Sequence, residues 1–427
     1  MAWAAAPTTP GPVEYGEGSV AHAGQLIARG IDPYAPEPPG TFVAAIYPPI
    51  SYVIAAAGER FGPFVGLRVA ALAATLALAG LVAVAARRRG VLAALALGAA
   101  FLATFPVRGW AGAHRPDDVA VLFTAGAVLA AGPSWKRAAG AGLLGGLAIF
   151  TKQTAIVPLG VVLVYLVVWD RTTGRRLAIT FATSIVALAG LSSLFFAPRD
   201  VLDHVIGRNA TEFSIDYAFA FATLAVLAVG AFVLVAARIG SGRMRAYVIG
   251  AFAVVLLAGR AGASINFELD LAAAATLGIA SAPSLRTLWI PLVLATQLIF
   301  VAAITTFGPI RGGANAIAPS PSATPALTLG AHHLAEESGV LIAAGIEPEV
   351  DELFVWSHLV ALGRFPDEVT PRVRRGEFAT ITSSAPLDQL DAWSIQRQRW
   401  LPALAEAVLA RYRLDSSAPG VYRYVPR

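Results

Sequence analysis

Five groups of ionisable and amide side chains stand out in a sequence that otherwise carries few. The first is Glu14-Tyr15-Gly16-Glu17-Gly18, followed by Asp32-Pro33-Tyr34 and Tyr47-Pro48-Pro49. The second is His114-Arg115-Pro116-Asp117-Asp118 and the third is Lys152-Gln153. The fourth pairs Asn209 with Glu212, and the fifth joins Arg260 to Asn266 and Glu268. Carboxylates of this kind can take a proton from a hydroxyl, and an Arg or Lys can hold an anionic group beside them. Lys152 is notable because only one other lysine, Lys136, accompanies the arginines. The combination suits a reaction between a lipid-borne phosphate and a hydroxyl. With no cysteine, thiolate metal sites, cysteine nucleophiles and disulfides are excluded. The six histidines show no HExxH spacing. Glu14 and Glu17 offer hard oxygen ligands that a divalent metal could use, but no ligand spacing demands one and no other cofactor is implied.

The elements that position these groups follow from composition. Of 427 residues, 56% are hydrophobic and 14% charged, and mean hydropathy is +0.65. Soluble domains carry about 25% charged residues, so a soluble enzyme is excluded. Residues 1–310 hold 21 Lys/Arg and 14 Asp/Glu, whereas 311–427 hold 11 and 13 in a much shorter stretch. The sequence therefore predicts an all-α polytopic membrane bundle with a small C-terminal α/β domain. Apolar runs fall near 64–86, 91–105, 117–131, 138–150, 154–169, 177–197, 217–237, 246–258, 267–282 and 287–306, which gives about ten transmembrane helices. The shorter run 47–58 reads as a helix at the interface or re-entering it. Lys152 marks a turn between two short passes rather than the middle of one long helix.

Orientation comes from the basic loops. Arg87 to Arg89, Lys136 with Arg137, Arg171 with Arg175 and Arg176, Arg238 with Arg243 and Arg245, and Arg286 fall at alternate loops. Taken as cytoplasmic, these loops collect 12 basic residues and one acid, Asp170. The carboxylates of the five groups then share the opposite face. The excess positive charge is explained by orientation, so no nucleic-acid partner is implied. Residues 1–46 form an outer N-terminal segment, 47–310 the membrane core, 311–330 a Pro/Ala/Ser linker, and 331–427 an extracytoplasmic domain. Within the last, 378–382 and 420–425 read as strands and 398–413 as an amphipathic helix. His332 and His333 read as surface residues near the linker. Gly140 to Gly145 spells GxGxxG inside an apolar run with no strand before it, so helix packing through small residues is the better account. No apolar run precedes Gly40, although that segment falls outside; the expectation is that the natural start lies upstream and a first helix is missing.

In their order along the chain, EYGEG, GIDPY, YPP with Phe61-Gly62 and Arg68, RPDD, FTKQT and GRAGASINFELDLAAA resemble the GT-C membrane glycosyltransferases. The resemblance is to the bacterial branch related to protein O-mannosyltransferase and lipid A aminoarabinose transferase, and it covers residues 13–310. It implies a polyprenyl-phosphate sugar donor and an acidic base in the first outer loop. Glu17 matches that base, with Glu14 where relatives usually carry Asp. An inverting transfer to a glycan, lipid or protein hydroxyl follows, in a multi-pass protein of the cell membrane surrounded by its lipids. Lys152, Arg260 and Arg115 are the cations available for the leaving phosphate. Asp117, Gln153, Asn209, Glu212, Asn266 and Tyr47 are candidate substrate contacts. A transporter or flippase of lipid-linked sugars is the rival, but it predicts charges at mid-depth and two related halves. A non-catalytic membrane protein that merely presents 311–427 leaves the loop carboxylates without a purpose.

An alkaline-phosphatase fusion placed after Arg427 is expected to be active. An inactive fusion together with a signal from a cytoplasmic reporter at the same position overturns the orientation.

Overall fold

The computed structural model describes residues 9–282, 289–307, 327, 330–418 and 420–427. The expected linker 311–330, apart from Leu327 and Gly330, and the loop carrying Arg286 lie outside the described residues. The helices in chain order are α1 (Glu17–Ala28), α2 (Pro49–Gly58), α3 (Val65–Ala86), α4 (Val91–Ala103), α5 (Phe105–Trp110), α6 (Asp117–Ala130) and α7 (Trp135–Thr151). They continue with α8 (Ile156–Trp169), α9 (Arg171–Ser192), α10 (Pro198–Leu202), α11 (Ile215–Ile239), α12 (Gly242–Leu256), α13 (Leu269–Ser281) and α14 (Trp289–Phe307). Among the described residues, four helical stretches are long and apolar enough to cross a membrane: Val65–Arg89, Arg171–Ser192, Ile215–Ile239 and Gly242–Gly259. Val91–Ala103, Gln153–Trp169 and Pro291–Ala303 are apolar but shorter.

Small residues set the spacing of this bundle. Helix α13 carries four consecutive alanines, Ala272 to Ala275, and every residue from Leu269 to Ala280 is buried. Alanine keeps helix propensity high while letting neighbouring backbones approach. The glycine run predicted for packing behaves accordingly. A Cβ on Gly142 would meet the Thr180 backbone at 2.6 Å, and one on Gly145 would meet the Phe181 ring at 2.8 Å. These contacts set α7 parallel to α9. Gly174 of α9 lies against Leu166 and Val167 at the tight reversal from α8, so α8 runs antiparallel to α7. The chain therefore turns back at Lys152, whose backbone is extended (φ −148°, ψ 121°) between the two helices. Helix α2, with ten residues, spans about 15 Å, too short to cross a bilayer; it packs on α1 through Gly24 and Ala55.

The two ends of the bundle differ in charge, and the basic end is capped. Arg89 donates to the carbonyls of Ile279 and Ala282 at the end of α13. Arg137 reaches the carbonyls of Leu129, Ala130 and Ala131 at 3.0–3.3 Å, and Arg243 reaches Ala131 at 2.6 Å. Cations at helix C-termini satisfy orphan carbonyls and complement the helix dipole. Asp117 starts the helix that Ala130 ends, so the acidic end lies about 20 Å away.

Beyond the bundle come α15 (Gly339–Ala343), α16 (Leu353–Ala361), α17 (Val369–Arg375), α18 (Ser394–Arg399) and α19 (Pro402–Arg411). They accompany a sheet of β1 (His333–Ala335), β2 (Thr380–Ser383), β3 (Tyr412–Ala418) and β4 (Val421–Pro426) in the order β1-β2-β4-β3. β1 and β2 are parallel and the remaining pairs antiparallel, with an irregularity between Leu414 and Ser416. The expected strands and amphipathic helix are present, with boundaries moved by a few residues. His333 departs from expectation: it begins β1 and is buried, whereas His332 is exposed. Phe42 and Ala44 belong to the same hydrophobic core as Val350, Leu353 and Trp356, and Phe42 pairs with Val350 in an isolated parallel bridge. The N-terminal segment is thus built into the C-terminal domain.

Candidate active site

The start of α1 is held from both sides. Glu17 is wholly buried, and Arg68 from α3 donates to both of its carboxylate oxygens. The backbone N–H of Val13 donates to it at 2.7 Å and that of His114 also donates to it. Arg68 in turn binds the carbonyls of Thr9 and Gly11, both at 2.7 Å. Four donors on one carboxylate make Glu17 an anchor for the N-terminal segment. Glu14, one turn earlier, is the more open group. It pairs with Arg115 at 2.9 Å, and both side chains keep a little over a tenth of their surface exposed. Burial raises the Glu14 carboxyl above its ordinary value, partly offset by Arg115.

The glycines of EYGEG have steric reasons. A Cβ on Gly16 would collide with the Arg115 guanidinium, which donates to the Gly16 carbonyl at 3.1 Å. A Cβ on Gly18 would collide with Ser338 and Gly339 of the C-terminal domain. The segment is therefore clamped between the loop before α6 and the domain before and within α15.

A second polar group lies where α6, the α7–α8 turn and the segment before α13 meet. Asp117 pairs with Lys152, accepts from Asn266 Nδ2 at 2.8 Å and accepts from Trp110 Nε1 at 3.2 Å. Lys152 lies over the Phe267 ring at 4.8 Å. Asp118 accepts from Thr75 and Asp270 from Tyr247, both at 2.9 Å. The break after α7 is what turns Lys152 toward Asp117. Asn266 Oδ1 and Gln153 Oε1 are buried without a protein partner, so both keep acceptor capacity for a ligand.

Tyr47 bridges the two groups. Its ring lies 5.8 Å from the Arg115 guanidinium, and its backbone is fixed by Tyr52 at 2.9 Å and Tyr34 at 2.7 Å. Gln153 and Asn209 both donate to the neighbouring Ile46 carbonyl, at 3.3 and 2.7 Å. Nine of the candidate residues, Glu14, Glu17, Tyr47, Arg115, Asp117, Lys152, Gln153, Asn209 and Asn266, are thus linked through one end of the bundle. Arg260 and Glu212 are not part of that buried set. Both are exposed, and the Arg260 side chain reaches the Asn209 carbonyl at 3.5 Å.

Several residues of this region were not singled out from the sequence. Glu352, at the N-terminal boundary of α16, accepts from Ser19 at 3.1 Å. Burial pushes its carboxyl up to about 7, against the opposing pull of Arg115 and the Tyr15 hydroxyl. Arg399 stacks 3.6 Å from the Tyr15 ring centroid and pairs with Glu336 at 2.9 Å. His22 binds Asp351 at 3.1 Å, with Glu347 at 3.6 Å. More than 300 residues separate Ser19 from Glu352 and His22 from Asp351 along the chain. Arg68, already part of the motif series in the sequence, now has its role as the partner of Glu17; His22 did carry a signal, as a lone ionisable group in an apolar stretch.

Crystal structures of ArnT from Cupriavidus metallidurans share this fold. The structure bound to undecaprenyl phosphate and the one in the apo state both align with a TM-score of 0.59, at 15% and 16% identity respectively. Each alignment covers 99% of this chain and 96% of that one. No family model matches the sequence, and no curated protein matches it.

The clasp at His22 has a pH signature. Burial opposes protonation of His22, but Asp351 and Glu347 overcome it and raise the imidazole from 6.5 to about 9. A raised folded-state value stabilises fully below about 6.5 and is lost as pH climbs through about 9. The melting temperature of the full chain is expected to fall between pH 7 and 10, and to fall less in His22→Gln. Equal slopes for the two proteins contradict a charged His22 clasp.

Proposed function

We propose that the chain transfers a sugar from a polyprenyl-phosphate carrier to a hydroxyl acceptor at the outer face of the cytoplasmic membrane. The observation that carries this is the adjacency of a partly open Glu14–Arg115 pair to the buried Asp117–Lys152 pair at the mouth of an apolar bundle. The fold shared with ArnT, whose crystal structure was obtained bound to undecaprenyl phosphate, supports the donor class. In this reading about ten helices cross the membrane, the basic end is cytoplasmic and the domain at 331–427 is extracytoplasmic.

The base is Glu14 rather than Glu17. A base needs a free lone pair within reach of the acceptor hydroxyl, and four donors already occupy Glu17. Glu14 takes the hydroxyl proton while the acceptor oxygen attacks the anomeric carbon. The bond from that carbon to the phosphate oxygen breaks, and the polyprenyl phosphate leaves with the electron pair. Lys152 and Arg115 receive the growing negative charge, exchanging their resting carboxylates for it. One displacement inverts the anomeric configuration. The unpaired oxygens of Asn266 and Gln153 accept from sugar hydroxyls, Tyr47 walls the sugar, and Asn209 holds that wall through Ile46. Arg260 and Glu212, at the exposed rim, meet the acceptor or the outer part of the donor. A flippase would need its charges at mid-depth; here they gather at one end.

Transfer of radiolabelled sugar from polyprenyl-phosphate donors in membranes tests the assignment. Glu14→Gln is expected to lower kcat by about 10²–10⁴ with donor KM little changed. Lys152→Ala should instead raise donor KM as well as slowing transfer. Near-normal kcat in Glu14→Gln at equal membrane level removes Glu14 as the base.

A further inference from the structure

We infer that residues 193–214 form a wedge whose free face is covered by lipid acyl chains of the leaflet at the acidic end. This goes beyond the proposed reaction and stands without it. Helix α9 has 22 residues and α11 has 25, about 33 and 37 Å at 1.5 Å per residue. Either length is enough to cross the hydrocarbon core of about 30 Å. The basic residues Arg171, Arg175 and Arg176 open α9, and Arg238 closes α11. The segment between them therefore emerges at the opposite boundary.

This segment carries two apolar stripes. Val201 and Val205, four residues apart, pack inward against the cluster of Tyr34, Tyr47 and Tyr52, and Phe196 meets the Tyr34 ring edge-on at 5.4 Å. His204 binds the Ala44 carbonyl at 3.1 Å, and Arg208 pairs with Glu37 and donates to the Val43 carbonyl at 2.6 Å. Leu202 and Ile206, also four apart, point the other way. Together with Leu194, Phe195 and Phe213 they are each more than half exposed. Helix α10 continues into a wide turn, Asp203–Gly207, where the Arg208 N–H reaches the Asp203 carbonyl at 2.9 Å. That turn keeps both stripes aligned across a short segment.

The inner stripe explains how the segment is attached; among the described residues nothing covers the outer one. Its continuity with the exposed apolar surfaces of α9 before it and α11 after it, at Val186 and Phe219, assigns the occupant as bilayer. A surface stripe of large apolar residues with a charged flank, here Arg199 and Asp203, is how interfacial segments bind lipid. Through Tyr34, Ala44 and Ile46 the wedge is one rigid step from Tyr47, so the bilayer surface sets the height of the site wall.

The absence of cysteine from the sequence makes nitroxide labelling clean. Phe195→Cys, Leu202→Cys and Ile206→Cys would each be labelled singly in nanodiscs of phosphatidylethanolamine and phosphatidylglycerol. Val186→Cys serves as the lipid reference and Asp391→Cys as the water reference. Accessibility to oxygen and to a nickel chelate is read at each site. The wedge positions are expected to match Val186→Cys, oxygen-rich and nickel-poor. Nickel accessibility like that of Asp391→Cys overturns the proposal. Dipolar broadening between labels also overturns it, because a second copy of the chain would then be the cover.

Discussion

The buried ion pair between Glu17 and Arg68 is the constraint on which the acidic end of the bundle depends. Taking two charges out of water is costly unless geometry and further hydrogen bonds compensate, and here both conditions are met. Arg68 spends its donors on Glu17, Thr9 and Gly11; Glu17 draws in Val13 and the loop before α6 through His114. Removing either partner would leave an uncompensated buried charge, at a cost of about 3–5 kcal/mol. The pair thus ties three parts of the chain to α3, and it does so from inside. Glu14 and Arg115 lie on the outside of the same knot, which is why they remain open enough to meet a substrate.

The C-terminal domain completes the arrangement rather than hanging from it. Phe42 and Ala44 belong to its core, and Ala44 N–H binds Asp351 at 2.8 Å. Gly18 admits Ser338 and Gly339, while Gly339 itself admits Pro12. Each of these contacts needs a residue without a side chain, so the close approach is written into the sequence on both partners. Arg399 on Tyr15 and Glu352 on Ser19 then add polar contacts directly beside Glu14. The segment bearing the proposed base is consequently shaped by a domain that follows the bundle in sequence.

What could be read from the sequence was what depends on short-range pattern or on solvent. Low charge content and arginine-rich loops announced the bundle and its two unlike ends. The turn at Lys152 was legible because a buried lysine at mid-helix would have broken the alternation of basic loops. The convergence of Tyr47, Arg115, Asp117, Lys152 and Asn266 was legible as a set of ionisable and polar residues at run edges. Roles within the set were not. Glu14 and Glu17 differ by one helical turn and by nothing in residue type. Only the arrival of Arg68 and the His114 backbone N–H makes one an anchor and leaves the other open. Glu352, Asp351 and Arg399 were invisible for a related reason, since polar residues in a water-soluble domain carry no energetic flag until they are seen buried against α1. Arg260 and Glu212 show the converse: their place at the edges of apolar runs put them in the set, and the structure leaves both exposed at its rim.

The stereochemistry of transfer depends on which carboxylate is free to act. Glu17 is saturated by donors, Asp117 is engaged by Lys152, Asn266 and Trp110, and Glu352 is buried on Ser19. Glu14 keeps an open face beside Arg115, whereas both oxygens of Glu268 and one of Glu337 lie buried without a protein partner; a single displacement from Glu14 uses no covalent sugar intermediate, which retaining transfer by the usual route requires. The most direct measurement is therefore the anomeric configuration of the product, read by NMR after transfer of a carbon-13-labelled sugar from a polyprenyl-phosphate donor of known configuration. A single displacement with Glu14 as base predicts complete inversion; retention of configuration contradicts it.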